Sequence, residues 1–197
     1  MSVFYTSDIH FGNERIMKLC DRPFDTADEM DNIIVAKWNV KVKPTDKVFV
    51  LGDLVEEKDF RPELLNRLNG RISLVIGNHD YPIHGEICAE TKVNWEGDLF
   101  YREEKRIYLA ELPIVMFHYP IMEWNGMEKG SVLLYGHVHN KRIPEVDGYF
   151  RDKLAFNVSM DVNDFEPQTI LELVKRENKE EIFMNRYGNL VKGGLID

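Results

Sequence analysis

Residues 72–80 read ISLVIGNHD. The first five make a near-continuous apolar run of strand length without polar alternation, the pattern of a strand covered on both faces. GNHD follows at once. A turn needs only Gly77 and Asn78, which leaves His79 and Asp80 with no structural duty. The same grammar recurs along the chain: VFYTS (3–7) runs into DIH (8–10), KVFVL (47–51) into GD (52–53), PIVMF (113–117) into HYP (118–120), and SVLLY (131–135) into GHVH (136–139). LAFNVS (154–159) is a sixth β-like run. Five of the six histidines fall in these post-strand segments. In α/β sheets ligands bind beyond the carboxyl ends of strands, so five strands delivering imidazole, carboxylate and amide groups there describe one site assembled from five loops. Three of the segments begin with glycine, which lets the backbone turn and aims the next side chain at the site.

Between the strands lie helical signals. Thr26 followed by Glu29 reads as a capping box, with Met30, Ile33, Ile34 and Trp38 as the inward stripe. Pro62 opens a helix that buries Leu64, Leu65 and Leu68 and stops at Gly70. A third helix is predicted over 167–178, with Leu171 and Val174 inward, and FYREEKRIYL (100–109) reads as a hairpin with a charged tip. Repeats, low-complexity tracts and Gly/Pro/Ser-rich linkers are lacking, so 197 residues with 44% hydrophobic and 30% charged side chains predict one α/β domain over 1–197.

Charge and cysteine usage exclude several functions. A net charge of −9 opposes extended contact with nucleic acid, whose phosphates demand a basic surface. Any phosphate this chain handles needs a local cation, and a metal centre would supply it. No apolar run is long enough to cross a bilayer and no signal-peptide pattern opens the chain, so a cytoplasmic protein is expected. Cys20 and Cys88 form no CxxC pair and read as buried thiols. Oligomeric state is open.

The ordered set DIH, GD, GNHD, H and GHVH resembles the calcineurin-like metallophosphoesterases. That resemblance implies a four-layer αββα sandwich of two mixed sheets with two divalent metal ions at the strand ends. By it, Asp8, His10, Asp53 and His139 hold one ion, and Asp53, Asn78, His118 and His137 the other, with Asp53 bridging. Thiolate-free nitrogen and oxygen ligands suit manganese, the ion expected first, and also iron, zinc, nickel or cobalt. The implied reaction is hydrolysis of small phosphodiesters or phosphomonoesters by a hydroxide activated between the metals. His79 would stabilise the transition state or protonate the departing oxygen, with Asp80 fixing its tautomer. Asn13 and Arg22 are substrate-binding candidates, and Arg15 and Arg142 are further arginines that could clamp phosphate. Where protein Ser/Thr phosphatases carry GDxVDRG, this chain reads GDLVEEKD, which removes their phosphate-binding arginine and favours diesters. The rival reading is a protein-interaction scaffold of the same fold with weak chemistry. A metal-dependent amidohydrolase also uses HxH, but would leave GNHD unexplained.

Overall fold

In the computed structural model the chain is described over residues 1–95, 105–109 and 111–196. The first sheet contains β1 (Val3–Thr6), β2 (Lys47–Leu51), β3 (Arg71–Val75) and the short β4 (Asn94–Trp95), in that spatial order and parallel throughout. Helices α1 (Glu14–Leu19) and α2 (Ala27–Lys41) connect β1 to β2, α3 (Pro62–Leu65) connects β2 to β3, and α4 (His84–Glu90) connects β3 to β4. Each helix carries the chain back so that the next strand starts in the same direction. Among the described residues the named strands of the first sheet are all parallel, where a mixed sheet was expected, and the antiparallel contact of β1 is a single bridge from Tyr5 to Gln168. The second sheet is mixed: β5 (Lys105–Leu109) pairs antiparallel with β6 (Leu112–Met116), while β6, β7 (Val132–Tyr135) and β8 (Ala155–Asn157) are parallel. Helix α5 (Pro144–Phe150) links β7 to β8, and α6 (Ile170–Arg176) and α7 (Glu180–Lys192) follow. The charged tip predicted within 100–109 lies outside the described residues, and 105–109 forms β5.

Successive strand residues point to opposite faces. Phe4, Val48, Val50, Ile72 and Leu74 pack with Met30, Ile34, Val35 and Trp38 of α2 in one core. Their neighbours Tyr5, Phe49, Leu51 and Val75 join Ile114, Met116, Leu134 and Phe156 of the second sheet in another, which Leu173 and Phe183 of the C-terminal helices complete. On the other face of the second sheet, Val115, Leu133, Tyr135 and Ala155 pack with Trp124 and Phe150. Strands that feed a core on each side explain the unbroken apolar runs of the sequence.

Local signals are met with adjustments. Thr26 Oγ1 accepts from the Glu29 N–H at 3.1 Å, but the Glu29 carboxylate reaches Asp25 N–H instead of Thr26, so only half of that capping box forms. The full box sits at Thr169 and Glu172, opening α6. Ile33 is half-buried and Val35 takes its inward place on α2. Leu171 is likewise half-buried, the inward positions of α6 being Ile170, Leu173 and Val174. The helix opened by Pro62 stops at Leu65 with Asn66 as its C-cap, short of the expected Gly70, although Leu68 is still buried; Gly70 itself turns the chain at φ +92°, where a side chain would be strained. Cys20 is buried as read, whereas Cys88 is partly exposed.

Trp38 is fully buried and its indole N–H donates to Asn69 O at 2.9 Å. Trp38→Ala should therefore lower the unfolding free energy by about 3–5 kcal/mol, read from urea titration followed by circular dichroism.

Candidate metal centre

The two sheets meet edge to edge at β1 and β8. Ser7 N–H donates to Val158 O at 3.1 Å and Met160 N–H to Ser7 O at 3.1 Å, a parallel bridge between Ser7 and Ser159. The carboxyl ends of β1, β2 and β3 from one sheet, and of β6 and β7 from the other, consequently open on one place. Beyond the strands the loops go on bonding to each other: Asp8 N–H to Gly52 O and His10 N–H to Asp53 O at 3.0 Å, and Gly136 N–H to His118 O at 2.9 Å.

Asp53 occupies the middle. Its Oδ2 is 3.5 Å from His10 Nε2 and 3.3 Å from His118 Nε2, while Oδ1 accepts the His79 backbone N–H at 3.0 Å. On one side, ligand atoms of Asp8, His10 and His139 lie within 4.8 Å of one another, and on the other those of Asp53, His118 and His137 do so. Asn78 Oδ1 is 3.0 Å from His118 Nε2. All seven residues singled out as metal ligands are thus brought to one place. His118 Nδ1 is bonded to Leu51 O at 2.8 Å and His139 Nδ1 to Asp161 at 2.7 Å, which leaves the Nε2 of each ring turned inward.

The fit to a cation rests on His10 and Asp8. His10 is 2% exposed, yet among the described residues neither of its ring nitrogens has a hydrogen-bond partner. Burying such a group without compensation is costly, and a metal ion would supply the missing partner. Burial also pushes the His10 pKa down to about 3, keeping the ring neutral, as a ligand must be. Burial raises the Asp8 carboxyl above its ordinary range, a cost that a neighbouring cation would offset. Burial likewise works to raise Asp53, but hydrogen bonding to and the charge of His118 outweigh it and hold the carboxylate low, and His118 rises reciprocally to about 9.

The backbone is bent to present these groups. Asp8, His10, Asp53, His137 and His139 all have φ between +52° and +69°, the left-handed region that costs a non-glycine residue roughly 1–2 kcal/mol. Of the three motif glycines only Gly52 has positive φ. Gly77 and Gly136 are needed for closeness instead: a Cβ on Gly77 would stand 2.5 Å from Asp53 N, and one on Gly136 2.5 Å from Asp8 Oδ2.

Three sequence-predicted residues take other duties. Asp80 is fully buried and accepts the N–H groups of Asp53 (2.7 Å), Leu54 (2.8 Å) and Gly77 (2.9 Å), so it staples the GD loop to the GNHD loop and does not orient the His79 ring. Arg22 is turned inward, its guanidinium donating to Ile9 O, Met30 Sδ, Asp8 O and both oxygens of Asp161, which leaves no donor for a substrate. Asn13 caps α1 through Oδ1, accepting from Arg15 and Ile16 N–H, and its amide donates to Glu56. It still lines the cleft, as does Arg15, whereas Arg142 pairs with Asp147 at 3.1 Å.

Sequence reasoning assigned no role to Glu56, Tyr119 or Asp161, although HYP (118–120) and FNVSMD (156–161) contain the last two. Glu56 Oε1 is 3.5 Å from His79 Nδ1, taking the place expected for Asp80. Tyr119 donates its hydroxyl to Asn78 Oδ1 at 3.1 Å, and its ring centroid is 4.3 Å from that of His137. The first glutamate of GDLVEEKD and the tyrosine of HYP adjoin recognised motifs, which was the available signal. Cys20, His139 and Asp161 also cluster within 4.8 Å, but Arg22 and the His139 ring already engage the Asp161 carboxylate.

Residues 1–158 match the Calcineurin-like phosphoesterase superfamily domain. The chain belongs to this superfamily. Similar members include the uncharacterized protein MJ1445 of Methanocaldococcus jannaschii, 28% identical over 183 residues, 91% of this chain and 93% of the relative. Gene 66 protein of Mycobacterium phage D29 is 26% identical over 164 residues, 72% of this chain and 80% of the relative. Among solved structures, the protein of unknown function AQ665 from Aquifex aeolicus superposes with a TM-score of 0.67 at 23% identity, covering 88% of this chain and 97% of the other, and shares the fold. Superfamily membership points to a hydrolase, and the buried Asp/His groups could hold metals. Among the described residues no helix is long and apolar enough to cross a membrane.

Asp80→Asn places an amide N–H against backbone N–H groups that the carboxylate now accepts. It should cost about 1–3 kcal/mol in thermal or urea unfolding and reduce metal uptake at both halves of the centre, read by elemental analysis after dialysis.

Proposed function

We propose that this superfamily member is a metal-dependent phosphoesterase hydrolysing small phosphodiesters or phosphomonoesters, with water as the nucleophile. The observation that carries the reading is the shared position of Asp53, whose one carboxylate oxygen faces His10 on one side and His118 on the other. Asp8, His10, Asp53 and His139 would hold one divalent ion and Asp53, Asn78, His118 and His137 a second, with manganese the first choice. Such ions, when bound, bring the pKa of the water between them towards neutrality and clamp the phosphoryl oxygens for in-line attack.

This chain's own residues supply the remainder. His79 is 42% exposed in its side chain and lines the same cleft of about 200 Å³ as His10, Asp53 and His137. In this reading it donates a proton to the departing oxygen, with Glu56 beside its Nδ1. The cleft has room for a phosphoryl group with a small substituent. GDLVEEKD lacks the arginine of GDxVDRG and puts Glu56 at the cleft instead, which favours a singly charged diester, while Arg15 and Lys141 at the same cleft supply positive charge for either ester. The proposal includes one domain layered αββα, which the core shared by both sheets supports.

Chelator-treated protein should regain hydrolysis of bis(4-nitrophenyl) phosphate on addition of Mn²⁺. His79→Ala should keep its metals and lose about 10²–10⁴-fold in kcat. Asp53→Asn should lose both ions. Metal-loaded protein inert towards a panel of phosphomonoesters and phosphodiesters would leave the scaffold reading in its place.

A further inference from the structure

Just past the segment that matches the superfamily domain lies Asp161, the last residue of FNVSMD (156–161), with its carboxylate buried. Its Oδ2 is 2.7 Å from His139 Nδ1. Both of its oxygens also accept from Arg22, Oδ1 from Nε at 2.7 Å and Oδ2 from Nη2 at 2.9 Å. The same guanidinium donates to Asp8 O at 2.7 Å and to Ile9 O at 2.8 Å. One buried ion pair therefore touches both stretches of chain, DIH and GHVH, that would furnish three of the four ligands of one ion: Asp8, His10 and His139. His118 differs, since its Nδ1 is met by the backbone carbonyl of Leu51.

We propose that Asp161 and Arg22 are positioning residues that hold His139 with Nδ1 protonated and Nε2 presented to one metal, and set the Asp8–His10 loop against it. This rests on the metal-dependent reading above. The geometry favours it over simple core filling. Asp8 and His10 sit in the left-handed region, where backbone is retained only if its surroundings over-determine it, and Arg22 engages the carbonyls of Asp8 and of the intervening Ile9. A carboxylate behind a ligating imidazole fixes its tautomer and raises its basicity, and loss of such a partner weakens metal affinity about 10–100-fold. The effect should fall on one ion of the pair, since the contacts of Arg22 and Asp161 go to one ligand set.

The test is isothermal titration of metal-free wild type, Asp161→Asn and Arg22→Lys with Mn²⁺, together with ¹⁵N-histidine NMR of the wild type loaded with Zn²⁺. The proposal expects two ions on the wild type, and in Asp161→Asn one ion about 10–100-fold weaker with the other unchanged. Arg22→Lys should weaken the same ion less. In the Zn²⁺-loaded wild type, His139 should keep its Nδ1 proton and show Nε2 as the ligating nitrogen, a readout that does not depend on any variant folding. Two ions bound equally by wild type and Asp161→Asn, equal weakening of both ions, or ligation through His139 Nδ1 would overturn the proposal and leave the phosphoesterase reading standing. A wild type that binds no ion at all would remove both.

Discussion

Asp53 is the group on which everything else turns. It is 2% exposed and surrounded by imidazoles delivered from both sheets, with one oxygen given to the His79 backbone and the other shared between His10 and His118. A carboxylate so placed needs positive charge close by, since desolvation alone would neutralise it. In the protein by itself His118 provides that charge. In the proposed enzyme two cations held by the residues around it would. The requirement for a carboxylate between two histidine sets dictates where β1, β2, β3, β6 and β7 must end.

Holding those ends together has a cost in backbone energy. Five proposed ligands lie in a conformation that side chains disfavour, and they lie there because a strand end must turn its next residue sideways into the centre. The structure offsets this with bonds that go to backbone and not to substrate. Asp80 gathers the N–H groups of two loops, Ser7 Oγ and the His137 N–H donate to the Asp8 carboxylate, and Arg22 gathers carbonyls of the first loop. Gly77 and Gly136 allow the loops to approach more closely than any side chain would permit. Loops bonded to one another on a buried sheet scaffold hold the seven groups together, so the proposed binding of ions would need little reorganisation.

Motif residues were legible because their chemistry is unusual where it stands. A histidine or aspartate directly after an apolar strand has few structural reasons to be there, and five such cases in one chain identify a common destination. The supporting residues were not legible in this way. Asp80 looked like a partner for His79 because it is adjacent in sequence, yet its side chain points under the loop, and Glu56 from another strand end meets the imidazole. Arg22 looked like a phosphate clamp because arginines often are, but it is buried against Asp161. The half-formed capping box at Thr26 and the complete one at Thr169 show the same limit on a smaller scale, since an S/T-x-x-E pattern does not reveal which N–H the glutamate will reach.

By itself the amino-acid sequence determined six of the eight described strands and the helix α2, because burial periodicity is a local property written residue by residue, while the ordered motifs DIH, GD, GNHD, H and GHVH carried the resemblance to the family. Only the tertiary structure decided that the named strands of the first sheet run parallel, that Glu56 and not Asp80 faces His79, and that Asp161, paired with Arg22, meets His139 from behind. These depend on which side chains meet after residues as far apart as 22 and 161 are folded onto one another. Such meetings are set by packing and by the pairing of buried charge, and neither has a signature within a single stretch of chain.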